Sequence, residues 1–167
     1  MIKTMVKFFV FFLFSILSFE VFANDLRKAT VKKVSDGDTV QAYVDSELHK
    51  IRLLEIDCFE TSNNKRAKLQ SSYYGKTIGE VLRTGNRSKE ILTNLLKANK
   101  DNVYIELTGK DVFQRDLGYI YIGNDRNNNV NKYMMTDGLC VPYLSSSEMK
   151  RKYKNHKLSV DKLNALN

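Results

Sequence analysis

A β-rich α+β fold is what this chain predicts, on three observations. Its first half alternates apolar and polar residues in short runs separated by turn signals. One later stretch carries apolar residues at helical spacing, and two more alternating runs follow it. Lys28 to Ser35 alternates well enough for a first strand, Asp36-Gly37 is a tight-turn signal, and Thr39 to Val44 resumes with Val40, Ala42 and Val44 on one face. Asp45-Ser46-Glu47 turns the chain again, and Leu48 to Ile56 makes a third strand and a β-meander. From Thr61 to Asn86 the periodicity fades, and Gly75, Gly79 and Gly85 interrupt any long helix. The 62–86 segment is therefore expected as a mobile basic loop beside the site or a solvated linker, with at most a short helix near Thr77 to Arg83. Ser88 is the expected N-cap of a helix whose apolar face is Ile91, Leu92, Leu95 and Leu96. Asn102 to Thr108 and Asp116 to Gly123 alternate as the fourth and fifth strands. An Asn-rich turn, a short helix from Val130 to Asp137 ended by Gly138, an extended Leu139 to Tyr143 and a final basic helix from Glu148 complete the chain. Five strands with a helix between the third and fourth is the element order of a five-stranded OB-type barrel with about three helices.

The 167 residues suffice for one ordinary domain once a leader is removed. Lys3 and Lys7 give a positive start, Phe8 to Phe19 is apolar except for Ser15 and Ser18, and Val21-Phe22-Ala23 offers small residues at the spacing a signal peptidase reads. Residues 1–23 are thus expected as a signal peptide cleaved after Ala23, leaving 24–167 as the domain, exported to the periplasm or beyond. The run is short of the roughly 20 residues a membrane span needs, so an anchor is the lesser reading. The net charge of +8 falls to +7 when Lys3, Lys7 and Glu20 are lost. A basic exported domain suggests a polyanionic partner: nucleic acid, an anionic membrane face or a charged glycan. Cys58 and Cys140 are an even pair in an oxidising compartment, which favours a disulfide over two buried free thiols. His49 and His156 stand alone and read as surface residues.

Chemistry concentrates in Arg52-Leu53-Leu54-Glu55-Ile56-Asp57-Cys58-Phe59-Glu60. Asp57 and the upstream Asp38, with a backbone carbonyl and waters, would make a hard, oxygen-only site suited to Ca²⁺, although each aspartate alone could be a turn or a strand-end cap. Arg52 lies in a strand at least half buried, so it needs a structural carboxylate or a ligand. Arg115 follows an irregular loop and precedes a strand. Two arginines converging on one point would fit bidentate recognition of a phosphate. Glu60, three residues past Asp57, could orient or deprotonate an attacking water, or be an ordinary surface glutamate.

Taken together, Asp36-Gly37-Asp38-Thr39, then Arg52 to Thr61, then Asp111 to Arg115 and Gly138-Leu139 resemble the staphylococcal nuclease (thermonuclease) family in order and spacing, over roughly Ala29 to Tyr143. The resemblance implies a Ca²⁺-dependent endonuclease on an OB-type barrel, acting on DNA and RNA with little sequence preference. Asp38 and Asp57 match the family's metal carboxylates, and Cys58 takes the place whose backbone carbonyl also binds Ca²⁺. Arg52 and Arg115 match its phosphate-binding arginines, and Glu60 its proposed general base. Phe113 and Tyr143 are the expected substrate contacts. The chain departs from the family at Phe59, which replaces a proline, at Val112, where a lysine often lies, and at Phe113-Gln114, where the family reads Tyr-Gly. In the family the segments carrying Cys58 and Cys140 run close together, so a bridge between them would pin the catalytic segment. The protein is expected to act as a monomer without a stable protein partner. The rival readings are an OB-type single-strand binding protein that no longer cleaves, and an envelope protein whose charge contacts lipid or glycan.

Overall fold

The computed structural model describes residues 25–144, with Ser147 and Arg151 beyond them. The expected leader and, apart from Arg151, the final helix from Glu148 lie outside the described residues. Five strands close a barrel: β1 (Arg27–Asp36), β2 (Thr39–Val44), β3 (Glu47–Leu53), β5 (Val103–Lys110) and β6 (Asp116–Ile122). They run in the order β1-β2-β3-β6-β5, with β3 and β6 parallel and the other neighbours antiparallel. Closure leaves no free edge among these five. The alternation read from sequence sets the inside, because Val40, Ala42, Val44, Ile51, Leu53, Val103, Ile105 and Ile120 are all buried. This is the expected OB-type barrel, with three α-helices among the described residues.

The third strand is shorter than the sequence suggests. It stops at Leu53, and Glu55 takes a positive φ of 67° that turns the chain away from the barrel. Buried Asn131 holds this corner, donating to the carbonyls of Leu54 and Gly118 and accepting from the Ile120 amide. The chain then forms a separate short strand, β4 (Ile56–Cys58), which pairs antiparallel with β7 (Cys140–Pro142). Asp57 therefore stands on this two-stranded ribbon rather than at the end of a barrel strand.

The 62–86 segment is helical, against the expected loop. Helix α1 (Lys65–Tyr74) is capped by the Asn64 side chain and ends on Gly75 at φ 63°. Helix α2 (Ile78–Ala98) opens on a capping box made by Thr77 and Glu80. Ser88 is consequently not an N-cap. It lies inside α2, fully buried, its one hydroxyl proton shared between the carbonyls of Leu139 and Thr84. Gly85 is no helix breaker either: a Cβ there would fall 2.3 Å from the Glu60 carbonyl oxygen, so glycine lets α2 pack directly on that segment. The expected apolar face is present, with Leu92 and Leu96 buried in the barrel core. Helix α3 (Val130–Tyr133) and a 3-10 turn (Thr136–Gly138) lead into β7. No helix among the described residues is long and apolar enough to cross a membrane.

Candidate active site

Two hairpin ends, the β4–β7 ribbon and helix α1 meet at one end of the barrel. They enclose a cavity of about 290 Å³ lined by Asp36, Asp38, Thr39, Arg52, Asp57, Cys58, Phe59, Glu60, Arg66, Phe113, Arg115 and Tyr143. Of the nine residues singled out in the sequence, the structure places eight, Asp38, Arg52, Asp57, Cys58, Glu60, Phe113, Arg115 and Tyr143, around a single space, and Cys140 lies outside its lining.

Asp38 arrives on the two-residue β1–β2 turn. That turn lies tight against its neighbours, since a Cβ on Gly37 would sit 2.7 Å from Cys58 Cβ and 2.8 Å from Ser88 Cβ. Asp38 Oδ2 accepts from the Cys58 amide at 2.7 Å, and Oδ1 accepts from the Thr39 hydroxyl and pairs with Arg52 Nη1. Asp57 is equally buried. Its Oδ1 lies 3.4 Å from Arg52 Nη2, while Oδ2 accepts from Arg66 at 2.8 Å and from Gln70 at 3.1 Å. Both carboxylates therefore already converge on one cation, the guanidinium of Arg52, which also donates to the Ile56 carbonyl at 3.0 Å. Paired this way, buried charge is tolerable; unpaired, it would not be.

Charge crowding shows in the titration behaviour. Burial lowers the pKa of Arg52; Asp57 opposes the shift, and the positive charge of Arg115 adds to it. Two guanidinium groups lining one cavity offer donors to an anion. Asp36, beside Asp38, is raised by burial, against the Thr39 hydrogen bond and the Arg52 charge. Tyr74, on α1, is pushed up to about 12 by burial and by the nearby Asp57 charge, so it keeps its proton at any working pH.

Arg115 is set by its own hairpin. Asp111 accepts from the Arg115 backbone amide at 2.9 Å and from its Nε at 2.7 Å, and Gln114 supplies the positive φ of 60° that closes the loop. Phe113 caps that loop, 76% exposed, with Arg115 stacked 5.7 Å from its ring centroid. Tyr143 stands 54% exposed, 5.7 Å from Arg52 on the same scale. Two open aromatic faces beside arginines suit stacked bases. Glu60 follows β4 on the rim; its amide donates to Gln70 Oε1 at 3.0 Å and its Oε2 accepts from Asn64 at 2.7 Å.

Two residues lining the cavity, Arg66 and Asp36, and two beside it, Gln70 and His49, carry no functional signal in the sequence reading. Arg66 and Gln70 lie one turn apart on α1, inside the segment taken for a loop. Their signal was Asn64 followed by a run of good helix formers, an N-cap pattern hidden by the glycines beyond. Asp36 is in sequence terms only part of a turn signal. His49 is not the plain surface residue expected: its Nδ1 lies 3.0 Å from Asp116 Oδ2, at the base of the hairpin that carries Arg115.

The cysteines form a disulfide between directly opposed residues of β4 and β7. As for a divalent cation, the donors on offer are the carboxylates of Asp38 and Asp57 and the carbonyl of Cys58, all oxygen, which fits Ca²⁺ in kind. Among the described residues no group of three or more His, Cys, Asp or Glu side chains is gathered as a metal cage, so water would complete such a shell.

The family described as staphylococcal nuclease homologue matches residues 50–165. An uncharacterized protein of Methanocaldococcus jannaschii, MJ1439, is 33% identical over 132 residues, covering 75% of this chain and 63% of that protein. The chain thus spans less than two thirds of that relative.

Proposed function

The chain belongs to the staphylococcal nuclease homologue family, and from that premise we propose that it is an exported, Ca²⁺-dependent endonuclease that hydrolyses DNA and RNA with low sequence specificity. The observation that carries this reading is the cavity itself: Asp38, Asp57 and Glu60 share it with Arg52, Arg66 and Arg115, and two exposed aromatic rings flank it. Opposite charges gathered at that density, with open faces for bases, suit a phosphodiester and its nucleosides better than a lipid or glycan.

Asp38, Asp57 and the Cys58 carbonyl would hold the cation. A bound Ca²⁺ supplies charge neutralisation at the phosphate and lowers the pKa of nearby water. The remaining work falls to side chains of this chain. Glu60, on the rim, orients water and takes its proton for in-line attack on phosphorus, and the ester P–O bond opposite the water breaks as its sugar oxygen leaves and takes a proton from solvent. Arg52 and Arg115 face the developing negative charge from two walls, and the Asp111 clamp keeps Arg115 aimed before substrate arrives. Phe113 and Tyr143 stack bases on either side, a contact indifferent to sequence because every base has a π-face. Export is supported by the leader pattern in residues 1–23 and by the Cys58–Cys140 bridge, which persists in oxidising compartments.

The test is incubation of the mature protein with single- and double-stranded DNA and RNA, with Ca²⁺ or a chelator. Cleavage requiring Ca²⁺ is expected, with Glu60→Ala reduced about 10²–10⁴-fold. Binding without cleavage would instead favour a single-strand binding protein. Undiminished cleavage by Glu60→Ala would remove the proposed base.

A further inference from the structure

Gln70 has no part in the chemistry above, yet it is the most deliberately placed polar side chain near the cavity. It is 0% exposed on α1. Its Nε2 donates to Asp57 Oδ2 and to the Cys58 carbonyl, both at 3.1 Å, and its Oε1 accepts from the Glu60 amide at 3.0 Å. A carboxamide has two N–H donors, and both are spent on one four-residue stretch, Asp57 to Glu60. We propose that Gln70 is a positioning residue: one rigid amide fixes Asp57, the Cys58 carbonyl and the Glu60 main chain relative to one another. The proposal rests on the nuclease reading for the roles of those three groups.

The bonding separates the two oxygens of Asp57. Gln70 and, one turn earlier on the same helix, Arg66 both donate to Oδ2, at 3.1 and 2.8 Å. Oδ1 is the oxygen turned toward Arg52 and so toward Asp38. Helix α1 thus decides which carboxylate oxygen faces the place where a cation would be held. The Glu60 amide, bonded to the other end of the same carboxamide, sets where the glutamate leaves the chain. A helix needing only to pack would present an apolar residue here, because a buried amide costs free energy unless every group is paired. Every buried side-chain nitrogen and oxygen among the described residues is paired.

The test compares wild type with Gln70→Met, which keeps the side chain's length and removes its polar groups. Ca²⁺ binding is measured by calorimetry on the full protein without nucleic acid, and kcat and KM by cleavage at saturating Ca²⁺. Loss of a partner that orients a ligand weakens metal affinity or activity about 10–100-fold. Ca²⁺ affinity and kcat are both expected to fall in that range, with KM for nucleic acid unchanged. A folded Gln70→Met with Ca²⁺ affinity and kcat within twofold of wild type would overturn the proposal. Should that variant not fold, Gln70→Glu retains the acceptor for the Glu60 amide and loses both donors. Its kcat is expected to fall, and an unchanged kcat would overturn the proposal equally. Wild type that binds Ca²⁺ but cleaves nothing would remove the nuclease reading, while the two Ca²⁺ affinities would still decide the role of Gln70. Wild type that neither binds Ca²⁺ nor cleaves would sink both.

Discussion

Arg52→Met should separate stability from catalysis in a way that few substitutions here can. Arg52 pairs with Asp38 and Asp57 and donates to the Ile56 carbonyl, with its side chain only 11% exposed. Removing one partner of a buried pair costs about 3–5 kcal/mol. Asp57 keeps Arg66 and Gln70, and Asp38 keeps the Cys58 amide and the Thr39 hydroxyl, so the lower end of that range, about 3 kcal/mol, is expected. On the proposed function the guanidinium and Ca²⁺ would compete for the same carboxylate oxygens, so the variant should bind Ca²⁺ more tightly than wild type. At a hundred times its Kd, Ca²⁺ returns about 2.7 kcal/mol. Urea denaturation with and without Ca²⁺ measures both quantities. Catalysis should not recover: losing a group that faces the transition-state charge costs about 10²–10³-fold in kcat. The reasoning fails if Arg52→Met loses less than about 1 kcal/mol without Ca²⁺, or if Ca²⁺ stabilises wild type more than the variant.

Reducing Cys58–Cys140, which closes a separation of 82 residues, should cost about 2–5 kcal/mol and lower activity with it; free thiols in the native protein would contradict the bridge. Gly85→Ala should push the Glu60 and Phe59 carbonyls off α2, since its Cβ would lie 2.3 and 2.4 Å from them. A loss of about 1–3 kcal/mol is expected in thermal melts, with reduced cleavage; an unchanged Tm would show the contact to be slack. Asp116 gives an acid-side prediction. Burial pushes its pKa up, but Lys110 and His49 outweigh that and hold it below the model-peptide 3.8. A depressed folded pKa contributes stability that is present above 3.8 and lost as pH falls through the lower folded value. Asp116→Asn should flatten the decline in urea stability below pH 3.8, and an identical slope would assign that decline to other carboxylates.

The barrel was legible because a half-buried strand needs only a period of two, and Val40, Ala42 and Val44 display it openly. The carboxylates and arginines were legible as types in order along the chain. Their meeting depended on tertiary choices that no local pattern carries. The turn at Glu55 that moves Asp57 onto its own ribbon is one, held from 77 residues away by Asn131. The helices over 65–98 were misread for a specific reason. Glycine signals a break only when its backbone freedom is what the site requires, and Gly85 is required for its missing Cβ. Ser88 misleads in the same way, because its hydroxyl serves the Thr84 carbonyl in the helix and the Leu139 carbonyl before β7 rather than amides at the helix start.

Cys58 shows how much can hang on one position. A residue offering only its carbonyl to a cation could be almost anything, so cysteine there would seem indifferent. Yet its amide holds Asp38, its carbonyl holds Gln70 and its sulfur holds Cys140. Through those three bonds the β1–β2 turn, helix α1 and strand β7 are all fixed to strand β4, which carries Asp57. Gly37 keeps the turn close enough for the first bond, and Gly85 brings α2 against the Glu60 carbonyl. A substitution such as Cys58→Ser therefore removes the covalent tie while leaving both main-chain bonds able to form. Retained Ca²⁺ affinity with lowered stability in that variant would assign the site's geometry to the backbone and its durability to the bridge. A Ca²⁺ affinity lost in step with stability would instead make the bridge part of the site's construction.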